Sequence, residues 1–384
     1  MIKTLRRLAI AGLLLPVFLP LAAANNGLSN KVQQSLKVNK ISSQSLSVVT
    51  IPLNGPGSSS FFNADISVNP ASTMKLVTTY AALELLGPTH QWKTEFFTDG
   101  QLKNGVLNGN LYLKGGGDPK LNMEKLWLLL RDLRANGVHQ VNGDLVLDRS
   151  HFVQPQLPSF NDDGGDAYKP FLVTPDSLLV NLKALRFIAR TTVIVSGKLA
   201  EGCSSQTYLS LLDHPSYAAG AIRAIWQELG GSIMGKDRLA EVPAKARLLA
   251  RAYSPDLTEI IRDINKYSNN TMARQLFLSL GAQFRNAADH DDSKAAQRVI
   301  RSWLARKGIT APHLVMENGS GLSRAERVSA REMATLLQAA WKSPYAAEFM
   351  ASLPLVAMDG TMRKRLHRTP LVGEARIKTG TLNN

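Results

Sequence analysis

The chain has 384 residues, which at roughly 100–200 residues per domain leaves room for two or three domains. Hydrophobic residues make up 44% and charged residues 20%, a balance that excludes wholesale disorder. A formal charge of +15 would point to nucleic acid in a cytosolic chain, but the first residues argue for export, where a basic surface suits anionic envelope material instead.

Residues 1–24 read as a cleaved signal peptide. Lys3, Arg6 and Arg7 form its positive start, Leu8 to Leu21 its apolar stretch, and Ala22-Ala23-Ala24 its cleavage site. The apolar stretch, broken by Pro16 and Pro20, is too short for a comfortable membrane span, and no later run is long and apolar enough. The mature protein is therefore expected to be soluble and exported, with at most peripheral membrane association. The one cysteine, Cys203, cannot close an internal disulfide, and it has no neighbouring cysteine with which to form a metal site.

In chain order, LSNKVQQSLKVN predicts a short helix, SLSVVTIPLNG a strand running into a turn, and FFNADISVNP an extended piece. NPASTMKLVTTYAALELLGP, residues 69–88, predicts an apolar helix with Asn69 as N-cap, Pro70 in the first helical position and a stop at Gly87-Pro88. The texture then changes to short β-like runs between glycine turns: WKTEFFTDGQ, GVLNGNLYLKGGG, VNGDLVLDRSHF, SLLVNLKALRF and RTTVIVSGKL. The run MEKLWLLLRDLRANG is a helix among them, and LPSFNDDGGDAYKP is a loop. From about Pro215 helical spacing returns in YAAGAIRAIWQELGG, in SPDLTEIIRDINKYSNNTMARQLFLSLG and in DDSKAAQRVIRSWLARKG. His290-Asp291-Asp292 reads as a solvated loop and MRKRLHR, 362–368, as a solvated basic face. The simplest organisation is one α/β domain, residues 25–89 and 214–384, split by a β-rich module at 90–213.

Three short motifs carry chemistry. Ser72 and Lys75 stand three apart at a helix start, so they share a face and the amine can reach the hydroxyl. A serine needs a base, and a lysine serves only when neutral; burial among Met74, Leu76 and Val77, the positive helix end and a second cation would each lower its pKa. The bland alternative is a capped helix with an exposed lysine. Ser268 and Asn270 fall at a break between two helical patterns, where a hydroxyl and an amide could line a cleft or simply cap helices. Near the C-terminus, Lys378, Thr379, Gly380 and Thr381 read as a strand edge, or as a hairpin entry: a cation and a hydroxyl for a carboxylate, with a glycine that would let substrate backbone approach closely.

Ser-x-x-Lys, Ser-x-Asn and Lys-Thr-Gly in that order form the set of penicillin-binding proteins and class A β-lactamases. With GGGDPKL, NGDLVLDRSHF, KYSNNTMA, ENGSGLSR and DGTMRKRL, the sequence resembles the D-alanyl-D-alanine carboxypeptidase/endopeptidase family, the type-4-like low-molecular-mass penicillin-binding proteins, over essentially the whole mature chain. The wide separation of Lys75 from Ser268 favours this family over β-lactamases. The resemblance implies an α+β fold: a transpeptidase domain, with an antiparallel sheet flanked by helices on both faces, interrupted by the β-rich module. It implies Ser72 as the acylated nucleophile, Lys75 as its base, Ser268 as proton relay and Asn270 as a ligand of the substrate amide. Lys378 and Thr379 would take the terminal carboxylate, and the N–H groups of Ser72 and Thr381 would form the oxyanion hole. The implied substrates are peptidoglycan stem peptides and cross-links in the periplasm, β-lactams are the implied inhibitors, and neither a metal, an organic cofactor nor nucleic acid is called for.

The family continues past the Lys-Thr-Gly motif with further sheet strands, which are expected to be missing from a sequence that stops at Asn384. Two alternatives follow: a β-lactamase-like hydrolase with fast deacylation, and an inactive envelope-binding protein.

Overall fold

The computed structural model describes residues 27–55, 57–154, 173–186, 208–209 and 211–382. The expected signal peptide, Cys203, the expected strand at 190–199 and the expected loop at 157–170 lie outside the described residues. The chain divides into a unit ending at Ala64 and one beginning at Asp65.

The first unit holds the expected short helix and strand. Helix α1 (Asn30–Val38) is capped by the Ser29 hydroxyl, which accepts the Val32 N–H. Strands β1 (Val48–Thr50) and β2 (Ser60–Phe62) pair antiparallel, with Val49 opposite Phe61.

The second unit has two hydrophobic cores. The first gathers around α2 (Met74–Leu86), whose residues from Met74 to Leu83 are all buried. A helix apolar on every side must be enclosed, and α2 is enclosed by others. The β-rich stretch follows: β3 (Lys93–Thr98), β4 (Gln101–Lys103), β5 (Val106–Asn108), β6 (Leu111–Gly115), α3 (Met123–Ala135), β7 (Gln140–Val141), β8 (Leu145–Asp148), β9 (Leu185–Arg186) and β10 (Tyr208–Leu209). Then come α4 (His214–Glu228), β11 (Ser232–Ile233), β12 (Asp237–Leu239) and β13 (Arg247–Tyr253). Helices α5 (Leu257–Tyr267), α6 (Asn270–Phe284), α7 (Asp292–Arg306), α8 (Ala330–Trp341) and α9 (Ala346–Ser352) return to the first core. There Tyr80 of α2 meets Trp303 edge-on at 5.0 Å between ring centroids. Helices α6 and α7 approach closely at Gly281, where a Cβ would lie 1.9 Å from the Asp292 carbonyl oxygen.

The second core lies under a five-stranded sheet in the order β12-β8-β6-β3-β13. The β12–β8 and β8–β6 pairs are parallel; β6–β3 and β3–β13 are antiparallel. The β6-α3-β8 crossover makes the parallel pairing possible. A smaller sheet runs β11-β7-β5-β4. The fold is α+β, as the sequence implies.

Residues 214–253, expected with the catalytic domain, share the second core and its sheet: Tyr217, Ile222 and Trp226 of α4 lie in that core, and β13 forms a sheet edge. Periodicity identifies α4 as a helix without saying which core it faces. We propose a module boundary near Ser254 in place of 213. Among the described residues of the expected strand at 177–187, only β9 is paired as a strand, because Asn181, Leu182 and Lys183 form a tight turn with positive φ. Asp292 is not solvated: it is fully buried, accepting the Val153 N–H at 2.8 Å and an Arg285 N–H at 2.9 Å. In the helical part, the segments around Val68, Val315 and Leu355 make isolated antiparallel bridges to Val328, Arg327 and Arg376. Among the described residues no helix is long and apolar enough to cross a membrane.

Candidate active site

The start of α2 is not a simple capped helix. Ala71 has φ +47°, a left-handed conformation costly for a residue with a Cβ, and Ala71–Thr73 form a 3₁₀ turn before the α-helix begins at Met74. Asn69 is not the N-cap of either helix, a position held by Pro70 and Thr73; its side-chain oxygen accepts the Ala71 N–H at 2.9 Å just before the turn, and its amide nitrogen donates to the Ser323 carbonyl at 2.9 Å. Ser72 thus sits, half-buried, on a strained bend, and Lys75 one turn further on is fully buried. Such strain persists only where the surroundings impose it.

They do so here. The loop 317–321 lies on the turn so closely that a Cβ on Gly321 would sit 1.8 Å from the Ala71 carbonyl oxygen. The C-terminal segment closes the other side: a Cβ on Gly380 would lie 2.8 Å from the Pro70 carbonyl and 3.1 Å from the Ser72 nitrogen. The backbone that approaches Gly380 here is the chain's own, at Pro70 and Ser72.

The Lys75 amine has three neighbours: Ser72 Oγ at 2.9 Å, Asn270 Oδ1 at 2.6 Å and the Ser320 carbonyl oxygen at 2.5 Å. The amide and carbonyl oxygens can only accept. A neutral amine has two N–H bonds and one lone pair, so donating to both leaves the lone pair for the Ser72 hydroxyl. Burial holds Lys75 well below the ordinary lysine pKa, the positive charge of Lys378 lowers it further, and the buried Glu326 carboxyl opposes both.

Ser268 is the left-handed C-cap of α5, with φ +56°, and Asn269 caps α6 by accepting the Met272 N–H at 3.0 Å. Asn270 then opens α6, so the break expected in KYSNNTMA is a tight junction of two helices. Ser268 Oγ accepts from the Lys378 amine at 3.0 Å. That amine also donates to the Thr379 carbonyl at 2.7 Å, and burial lowers its pKa to about 8. Ser72, Ser268, Asn270, Thr379 and Thr381 line one open cleft of about 490 Å³, with Tyr267, Thr361 and Arg365 at its walls. The expected strand edge is an extended segment tied by the Leu355–Arg376 bridge and the Ile377 N–H to the Pro354 carbonyl, 2.8 Å.

Residues without an assigned role complete the site. Glu326 is fully buried, and one of its oxygens accepts the N–H groups of Glu317, Asn318 and Gly319 at 3.0–3.1 Å. It thereby shapes the loop whose Ser320 carbonyl faces Lys75. Thr361 accepts the Thr379 hydroxyl at 3.1 Å. Thr361 lies within DGTMRKRL, one of the segments that carry the family resemblance, whereas Glu326 lies just past ENGSGLSR and has no signal of its own.

A D-alanyl-D-alanine carboxypeptidase of an Actinomadura species is 29% identical over 372 residues, 82% of this chain and 69% of that protein. The crystal structure of penicillin binding protein 4 from Haemophilus influenzae superposes with a TM-score of 0.73 at 26% identity, covering 84% of this chain and 81% of that one. Its complex with a β-lactam gives 0.68 at 25% identity, covering 84% and 80%. The D-Ala-D-Ala carboxypeptidase 3 (S13) family matches at residues 28–192 and 181–384, nearly the whole described chain, and the protein belongs to that family.

Proposed function

We propose that this protein is a serine-type D-alanyl-D-alanine carboxypeptidase and endopeptidase of the bacterial cell wall, acting through an acyl-enzyme on Ser72. One observation carries the assignment of roles: the Lys75 amine faces two obligate acceptors and one hydroxyl, so its lone pair has a single place to point.

Ser72 Oγ attacks the carbonyl carbon between the two terminal D-alanines while its proton passes to Lys75 Nζ. The oxyanion that forms is met by the N–H groups of Ser72 and Thr381. Lys378 and Thr379 hold the terminal carboxylate, and the Asn270 amide orients the peptide. The C–N bond then breaks, the nitrogen taking a proton from Lys75 through Ser268, and D-alanine leaves. Water adds to the ester, its proton returns to the base, and the shortened peptide departs with Ser72 restored. A D-alanyl–meso-diaminopimelate cross-link fits the same scheme, with the diaminopimelate amine as leaving group. A β-lactam acylates Ser72 in the same way, but its leaving nitrogen stays tethered and deacylation is slow. The family and the basic surface favour action in the periplasm, after export by the N-terminal leader.

Labelling with a fluorescent penicillin tests this. The wild-type chain is expected to form a stable adduct on Ser72, and Ser72→Ala none. Equal labelling of both overturns the assignment. Rapid release of penicilloate favours a β-lactamase, and sacculus binding without labelling favours a non-catalytic envelope protein.

A further inference from the structure

Lys266 ends α5 two residues before Ser268, and it is only 8% exposed. A buried ammonium needs partners. This one donates to the Leu353 carbonyl at 3.0 Å and to Asp359 Oδ2 at 2.5 Å. Asp359 Oδ1 in turn accepts the Leu355 N–H at 2.8 Å. The two side chains therefore pin the C-terminus of α5 to both ends of the segment 353–359.

That segment is the floor of the Lys-Thr-Gly strand. Pro354 accepts the Ile377 N–H at 2.8 Å, Val356 donates to the Ala375 carbonyl at 3.0 Å, and Thr361, two residues past Asp359, accepts the Thr379 hydroxyl. Gly360 presses directly on α5, where a Cβ would lie 2.3 Å from the Lys266 carbonyl oxygen. Ser268 and Lys378 are 110 residues apart, and each belongs to an element held at one end of the Lys266–Asp359 pair.

We infer that the Lys266–Asp359 ion pair is a positioning device for the reaction: it sets the separation of Ser268 from Lys378 and Thr379, and so the alignment of the proton relay with the carboxylate anchor. Neither side chain lines the cleft. The inference rests on the acyl-transfer reading above, and it goes beyond it by assigning function to residues that touch no substrate.

The test compares wild type with Lys266→Met, Asp359→Asn, the double variant and Lys266→Arg. The readouts are the second-order rate constant for penicillin acylation, normalised to titrated active sites, and the thermal midpoint. Both single variants are expected to lose about tenfold or more in the normalised rate, since small misplacements of reacting groups cost that much. The double variant should fall no further than the worse single, because both remove one interaction. Lys266→Arg, which keeps the charge, should recover most of the rate. A merely structural pair would lower the midpoint and leave the normalised rate unchanged. Normalised rates within twofold of wild type in both single variants overturn the inference. So does failure of both to fold, which would assign the pair to folding. Absence of labelling in wild type would instead sink the acyl-transfer reading itself, so the two failures are distinguishable.

Discussion

The start of α2 and the segment around Lys378 each hold an amine against a serine hydroxyl, and they do it by different means. At α2 the pair is local: Ser72 and Lys75 are three residues apart, and the amine is sealed by fixed oxygens from α6 and from the loop at Ser320. At Lys378 the pair is assembled across 110 residues, and the half-buried amine meets Ser268, whose residue lines the cleft. The difference suits two tasks. Burial without solvent lowers the Lys75 pKa strongly, which favours the neutral form that a base requires. The Lys378 amine, lowered by burial only to about 8, stays charged at neutral pH, the form that attracts a carboxylate.

Removing the sealed amine should do the most damage. Lys75→Met is expected to reduce penicillin acylation by about 10²–10⁴-fold, the range for a lost general base, measured by stopped-flow or by timed labelling. A loss of less than tenfold would mean that another group takes the Ser72 proton. Lys378→Met comes next, with a loss of about 10–100-fold, the worth of a hydrogen bond to a charged group. It should also move the acid limb of the pH–rate profile. Lys378 lowers the Lys75 pKa by repulsion, so without it Lys75 stays protonated to higher pH and the limb shifts upward. An unmoved limb would show that the two amines do not sense each other.

The wild-type profile is a third, smaller effect. Acylation should rise as Lys75 loses its proton and fall as Lys378 loses its own near pH 8, giving a bell. A rate that keeps climbing well past that pH would break the proposed division of labour. Smallest of all on catalysis should be a change in the β-rich module. Leu129→Ala, at a fully buried site in the second core, is expected to cost about 2–5 kcal/mol of stability by calorimetry or denaturant titration. The acylation rate of the folded enzyme should stay within twofold.

How much of this was legible in the sequence follows from the same contrast. Ser72 and Lys75 were readable because a helix turns spacing directly into proximity. Ser268, Asn270, Lys378 and Thr379 were readable only through their order along the chain, since nothing local says that they meet. Ser320 and Glu326 left no trace of their own: one acts through a carbonyl that every residue has, the other by gathering backbone N–H groups from inside the fold. The strained turn at Ala71 was misread as an ordinary helix start, because its cause is the pressure of Gly321 and Gly380 from far along the chain. Helix α4 and strand β13 were readable as elements but not as parts of the second core and its sheet, since amphipathic spacing records that a face is buried and not against what.

The way the module joins the helical core has a consequence of its own. Its first strand and its last are paired, Lys93 opposite Tyr253, and just outside them Ser254 donates its N–H to the Trp92 carbonyl at 2.9 Å while its hydroxyl accepts the Trp92 N–H at 3.0 Å. The intervening chain therefore leaves and rejoins through a single doorway, with neighbouring doorposts. A segment mounted in that way enters at one point yet is not detachable: buried Asp292 of α7 and Gln275 of α6 take partners from its Val153 and Asp176 backbone, so excising it would leave polar groups unpaired inside the helical core.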